Sequence, residues 1–166
     1  SWEYNEDRTE ITFHLEEGVT FWNGDPLTVE DIIFSFDRAM ASSFAANATN
    51  MMEKMEKIDD NTCKLTLKFP YGPIEYCVSA PQLSIISKSH FECVGEEAYA
   101  RDPMGTGPYV YKEWVNGDRL LFTANENYWQ GAPAIKDINY KIIIDQNTAV
   151  IALQKGEIDY VTAPPM

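Results

Sequence analysis

The 166-residue chain is 45% hydrophobic and 13% aromatic, enough apolar material for one to two folded domains and too much for a disordered segment. Its 26 acidic against 13 basic residues give a formal charge of −13, which repels phosphate backbones and anionic headgroups and so argues against nucleic acid or an anionic membrane surface as partner. No run approaches the roughly 18 apolar residues of a membrane-spanning helix.

The chain opens without an initiator Met and already close to a strand, so upstream sequence is expected. From Thr9 to Leu15, Ile11, Phe13 and Leu15 alternate with Thr12 and His14, the pattern of a half-buried strand that ends at Glu16-Glu17-Gly18. His14 falls on the solvent side. A turn at Asn23-Gly24-Asp25-Pro26 leads to Thr28, which with Asp31 has the form of a capping box. Val29, Ile32, Ile33, Phe36 and Met40 then recur at helical spacing. Residues 41–55 carry no clean period and read as a mobile loop leading into a short helical piece. After a turn at Asp59-Asp60-Asn61, Cys63, Leu65, Leu67 and Phe69 alternate with Lys64, Thr66 and Lys68 as a second strand, stopped by the prolines of "FPYGPIEY". The apolar stretch from Tyr76 to Ile86 reads as buried, and Ser87 as the cap of a helix over residues 88–100.

Gly105 and Gly107 flank Thr106 ahead of a strand from Tyr109 to Trp114. Asn116-Gly117 is a strong hairpin signal, returning the chain through Leu120 to Ala124. Ile138, Tyr140, Ile142 and Ile144 predict a further strand, and Asp145 or Asn147 caps a helix ending at Gly156. "EIDYV" then reads as a strand that closes a right-handed parallel strand–helix–strand unit. Together these elements predict a mixed α/β fold with antiparallel hairpins.

Little in the chain points to catalysis. The adjacent carboxylates Glu16-Glu17, Asp59-Asp60 and Glu96-Glu97 do not face one another on a helix or strand, whereas acid–base pairs must converge across a substrate. An extracellular hydrolase lobe using Glu96 or Glu97 as general acid is therefore an alternative that the spacing does not support. Gly105-Thr106-Gly107 lacks the lysine of a phosphate loop and precedes a strand, so it reads as a turn permitting close backbone packing. Cys63, Cys77 and Cys93 match no zinc spacing and read as buried free thiols. No cofactor and no metal site is expected. The four Trp, nine Tyr and eight Phe exceed what a small core needs, and aromatic rings also line ligand clefts. Trp22, beside the turn, and Tyr71, in "FPYGP", are open to either role.

Three ordered stretches resemble a known family. "SWEYNEDRTEITFHLEEGVTFWNGDPLTVEDIIFSFDRAM" is similar to the block containing "GVxFxdGxPlTAeDVvfSfxR" in family 5 of the extracellular solute-binding proteins, the peptide-, oligopeptide- and nickel-binding receptors of ABC transporters. "MGTGPYVYKEWVNGDRLLFTANENYWQGAPAIKDINYKII" resembles its "GTGPY" block, and "TAVIALQKGEIDYV" its following helix and strand.

The resemblance implies a two-lobed clamp, the type II periplasmic-binding-protein fold, which closes on its ligand by hinge motion. It implies that residues 1–103 are the smaller lobe and 104–166 part of the hinge-proximal lobe. A strand and ligand-contacting loop before Ser1 and a large lobe after Met166 would complete the clamp. The implied function is non-catalytic capture of a peptide or similar small solute outside the cytoplasmic membrane, for delivery to ABC permease subunits. The protein would be periplasmic, or a lipoprotein tethered by an anchor upstream of this chain. A peptide-sensing receptor of the same fold without transport is the alternative. By position in the family, Ala80, Pro81, Gln82 and Leu83 lie at a cleft-facing strand end, and the loop at Asn50, Met51 and Met52 at another cleft edge. With Trp22 and Tyr71 they make up the candidate ligand-binding set.

Overall fold

In the computed structural model, which describes residues 1–162, two antiparallel sheets follow one another along the chain. The first has the order β1-β2-β4-β3, with β1 at Trp2–Tyr4, β2 at Glu10–His14, β3 at Met52–Lys57 and β4 at Thr62–Leu67. The second has the order β5-β6-β7, from Tyr109–Val115, Arg119–Ala124 and Asp137–Lys141.

Strand alternation builds the core of the first sheet. Ile11 stands opposite Leu65 and Phe13 opposite Cys63, while Met55 flanks Leu65 from the other side. One face of three strands is thus continuous and apolar. Helix α1, Val29–Ala41, lies across β3 and β4 and buries Val29, Phe36 and Ala39 against it. Full burial of a side chain such as Phe36 contributes about 1.5–3 kcal/mol.

The start of α1 is fixed as the capping signal predicts. Thr28 Oγ1 accepts from the Asp31 amide at 3.4 Å, and the Asp31 carboxylate accepts from the Thr28 amide at 3.0 Å. Asp31 is itself buried, and its second oxygen accepts from the Lys88 amide at 2.8 Å. One turn on, the buried Ser35 hydroxyl accepts from the Ile86 amide at 3.0 Å and donates to the Asp31 carbonyl at 2.6 Å. These bonds hold the segment 86–88 against α1, and Ser87 then caps α4, Lys88–Val94, by accepting from the His90 amide at 3.2 Å.

Several expectations are corrected by this structure. Residues 41–55 contain the short helical piece expected, α2 at Ala46–Thr49, but end in a strand, β3, that the absence of a clean period concealed. A bulge between Met52 and Lys54 puts Met52 and Met55 on the core face, so the strand shows a spacing of three where two would be expected. Strand β4 ends at Leu67, leaving Phe69 half exposed. The run from Tyr76 to Ile86 is not uniformly buried. It begins within α3, Ile74–Val78, which turns Ile74 and Cys77 inward and Tyr76 outward. The helix over 88–100 is two, because Gly95 adopts φ 83°, a left-handed value that breaks α4 from α5, Glu96–Tyr99. Strand β7 stops at Lys141, short of Ile142 and Ile144. Residues 157–161 are not a strand among the described residues, so the parallel unit is absent there and β7 pairs antiparallel with β6. A strand exists only with a partner for its backbone groups, and none of the described strands offers "EIDYV" one.

The Asn116-Gly117 hairpin joins β5 and β6 as expected, with Gly117 at φ 74°. Asp145 is the residue that caps α6, Gln146–Gln154, accepting from the Thr148 amide at 2.7 Å. Cys63 and Cys77 are buried free thiols, but Cys93 is exposed on α4. Burial pushes the Cys63 thiol up to about 11.

Candidate functional site

The candidate residues fall at two places. Trp22 stands alone of the set at the connection between the two sheets. Its backbone amide donates to the Gly105 carbonyl at 3.0 Å and its indole Nε1–H to the Gly107 carbonyl at 3.1 Å. The ring covers Gly105 so closely that an added Cβ would lie 3.2 Å from ring atom Cζ2. The close packing expected at Gly105-Thr106-Gly107 is therefore present, and its partner is Trp22. The Gly107 carbonyl also accepts from the Asn125 carboxamide at 3.1 Å, tying the connection to the residue after β6. Upstream, the Tyr99 hydroxyl donates to the Met104 carbonyl at 2.8 Å and accepts from its amide at 3.0 Å. Burial raises the Tyr99 pKa above its ordinary value. These bonds pin the connection at Met104, Gly105 and Gly107, and Trp22 acts in it as a strut.

The remaining candidates gather near the ends of α2, β4 and α3. Met51, Met52 and Leu83 are 5%, 2% and 3% exposed and belong to the apolar core. They shape the loops from beneath and offer a ligand no surface. Tyr71 and Ala80 are half-buried and pack on that core, while Pro81 and Gln82 are exposed. The segment is held by a short turn in which the Leu83 amide donates to the Ala80 carbonyl at 2.9 Å, and the Ser84 hydroxyl donates to the Pro81 carbonyl at 2.8 Å. Pro81 and Gln82 are thereby held at the surface on a base that Ala80 anchors to the core.

Two aromatic residues absent from the candidate set are more exposed than either aromatic within it. Phe44, in the turn before α2, is 81% exposed, and Tyr76, on α3, is 80% exposed. The turn carrying Phe44 contacts the turn at Pro81–Leu83, and α2 contacts α3, so both aromatics share the region of the candidate loops. The periodicity of α3, with Ile74 and Cys77 inward, is the signal that would have turned Tyr76 outward. Phe44 lay in a stretch with no period to read.

Glu96 and Glu97 are exposed on α5, and Glu96 pairs with Arg38 at 3.1 Å, the arrangement of a solvated surface. Among the described residues no group of three or more His, Cys, Asp or Glu is placed to hold a metal ion.

The model of the family "Bacterial extracellular solute-binding proteins, family 5 Middle" matches residues 1–166. The chain is 31% identical over 164 residues to the nickel-binding periplasmic protein of Escherichia coli K12, covering 96% of this chain and 31% of that protein. It is 28% identical over 160 residues to the oligopeptide-binding protein AppA of Bacillus subtilis 168, covering 90% of this chain and 29% of that protein. Among solved structures, MoaA from A. tumefaciens R10 in complex with mannopinic acid superposes with a TM-score of 0.87 at 29% identity, covering 96% of this chain and 33% of that one. The chain thus spans about a third of the length of these relatives. It belongs to the bacterial extracellular solute-binding proteins of family 5.

Proposed function

We propose that the protein is the substrate-binding component of an ABC importer, which captures a peptide or similar small solute outside the cytoplasmic membrane and delivers it to permease subunits. The observation that carries this reading is the family match over all of residues 1–166, joined to a close superposition on a binding protein solved with its solute. Relatives named for nickel and for oligopeptides share that fold, so the solute class is left to the loops.

In this reading residues 1–103 form the smaller lobe and 104–166 part of the hinge-proximal lobe, with the Trp22–Gly105–Gly107 joint between them. Large apolar side chains left uncovered at Ile142, Ile144 and Ile151 support the second assignment, because a face of this kind calls for a further packing layer. Tyr71, Ala80, Pro81 and Gln82 border the ligand, supported from below by Met51, Met52 and Leu83. A lipid anchor upstream of the chain would hold the receptor at the membrane surface. The protein performs no catalysis and works by binding alone.

A thermal-shift screen of the full-length receptor and of residues 1–166, against short peptides, nickel and simple sugars, tests this. A ligand that binds only the native state raises the melting temperature by mass action. The expected result is a shift for the full-length receptor with one solute class and none for residues 1–166. A strong shift for residues 1–166 alone would place a complete site within them and overturn the incomplete-clamp reading.

A further inference from the structure

A concavity lies between β1 and α3. Strand β1 is the edge of its sheet, and its Trp2 and Tyr4 stand opposite Phe13 and Ile11 on the core-facing side. Helix α3 is only five residues long. The helical layer therefore ends before the sheet does, and leaves a cleft of about 320 Å³ lined by Trp2, Tyr4, Phe13, Glu75, Val78 and Ser79, with Ile11 at its floor. That volume falls within the range of small-molecule sites.

The walls are aromatic and aliphatic, and the charged group in the lining is the Glu75 carboxylate. Its placement is specific. One oxygen, Oε1, accepts from the Tyr4 hydroxyl at 3.0 Å and from the Trp2 indole N–H at 3.4 Å. Among the described residues no donor engages its Oε2, so one carboxylate oxygen keeps its capacity to accept. The Arg8 guanidinium carbon already lies 5.1 Å over the Tyr4 ring, an attraction between cation and aromatic face at this same corner. The chain's charge of −13 enriches cations around it. An apolar body fits the rings, a positive head fits Glu75, and an anion fits neither.

We propose that the β1–α3 cleft binds an alkylammonium or guanidinium group carried on a small apolar body, with the cation on Glu75 and the body against Trp2, Tyr4, Phe13 and Val78. The cleft adjoins the segment 80–82 through Ser79, and the proposal does not depend on which solute that segment borders.

The test follows the Trp2 indole N–H resonance of residues 1–166, labelled with nitrogen-15, during titration with n-butylammonium chloride. n-Butanol serves as the neutral probe of similar shape and Nα-acetyl-lysine N-methylamide as the ammonium borne by a polypeptide. The expected result is a saturable displacement with n-butylammonium and little with n-butanol, weakened roughly tenfold in Glu75→Gln. Unchanged resonances from β5 and β6 in that variant show that its fold is intact. Val78→Phe, which fills the cleft while keeping Glu75, is expected to block the titration. Tighter binding of n-butylammonium than of the capped lysine assigns the cleft to free amines, and the reverse assigns it to a lysine side chain. An equal response to n-butanol, or an undiminished one in Glu75→Gln, would overturn the proposal.

Discussion

At Gly105 the chain has room for a hydrogen atom and little more, because the Trp22 ring lies 3.2 Å from where a methyl group would be. Gly105→Ala is therefore expected to push the ring and strain its bond to Gly107, destabilising the protein by about 1 kcal/mol in urea unfolding. An unchanged midpoint would mean that the ring moves freely and is no strut. The close approach at Gly105 was legible in the sequence, since Gly-Thr-Gly before a strand suits neither helix nor phosphate loop. Its partner was not legible, because Trp22 meets Gly107 across 85 positions and no local pattern marks such a contact. The thiols divide in the same way. All three read as buried free thiols, which holds for Cys63 and Cys77 but not for Cys93, exposed on α4 where no helical period marked its face. Alkylation of the native protein should modify Cys93 rapidly and spare Cys63 and Cys77. Cys63 adds a pH dependence. Its folded value near 11 lies above the ordinary 9.0, so the unfolded chain ionises first, and stability should fall as pH rises from about 9 to 11. A Cys63→Ala variant that loses stability just as steeply over that interval would assign the effect to other groups.

Among the elements, those with a complete local signal formed where expected. Thr28 and Asp31 start α1, Asn116-Gly117 turns β5 into β6, and Asp145 starts α6. Thr28→Ala should cost about 1 kcal/mol by releasing the cap, and a thermal shift within noise would contradict the role given to Thr28. Asp31 carries more than the local pattern suggested, because its second oxygen holds the Lys88 amide and so fixes where α4 begins. Elements with a disturbed signal were misread for a physical reason in each case. The bulge in β3 shifted Met52 and Met55 out of the two-residue period. Gly95 divided what looked like one helix, and "EIDYV" had strand composition without a neighbour to pair with.

For the whole molecule, the mixed α/β architecture was readable from alternation and caps, whereas the candidate ligand surface was readable only as a region. Positional resemblance led to the segments 50–52 and 80–83, but which side chains reach solvent is decided by packing. Met51, Met52 and Leu83 went into the core, while Phe44 and Tyr76 came to the surface beside the same loops. In the proposed reading, the joint at residues 104–107 and the loops at 71 and 80–82 are the parts of this chain that a closing clamp would use. Amide hydrogen exchange on the full-length receptor, with and without a saturating solute found by the thermal screen, tests that most directly. Slower exchange at residues 80–82 and across 104–107 is expected in the bound state. Unchanged exchange at both places under saturation would contradict it, and would leave residues 1–166 as scaffold that neither meets the ligand nor senses its capture.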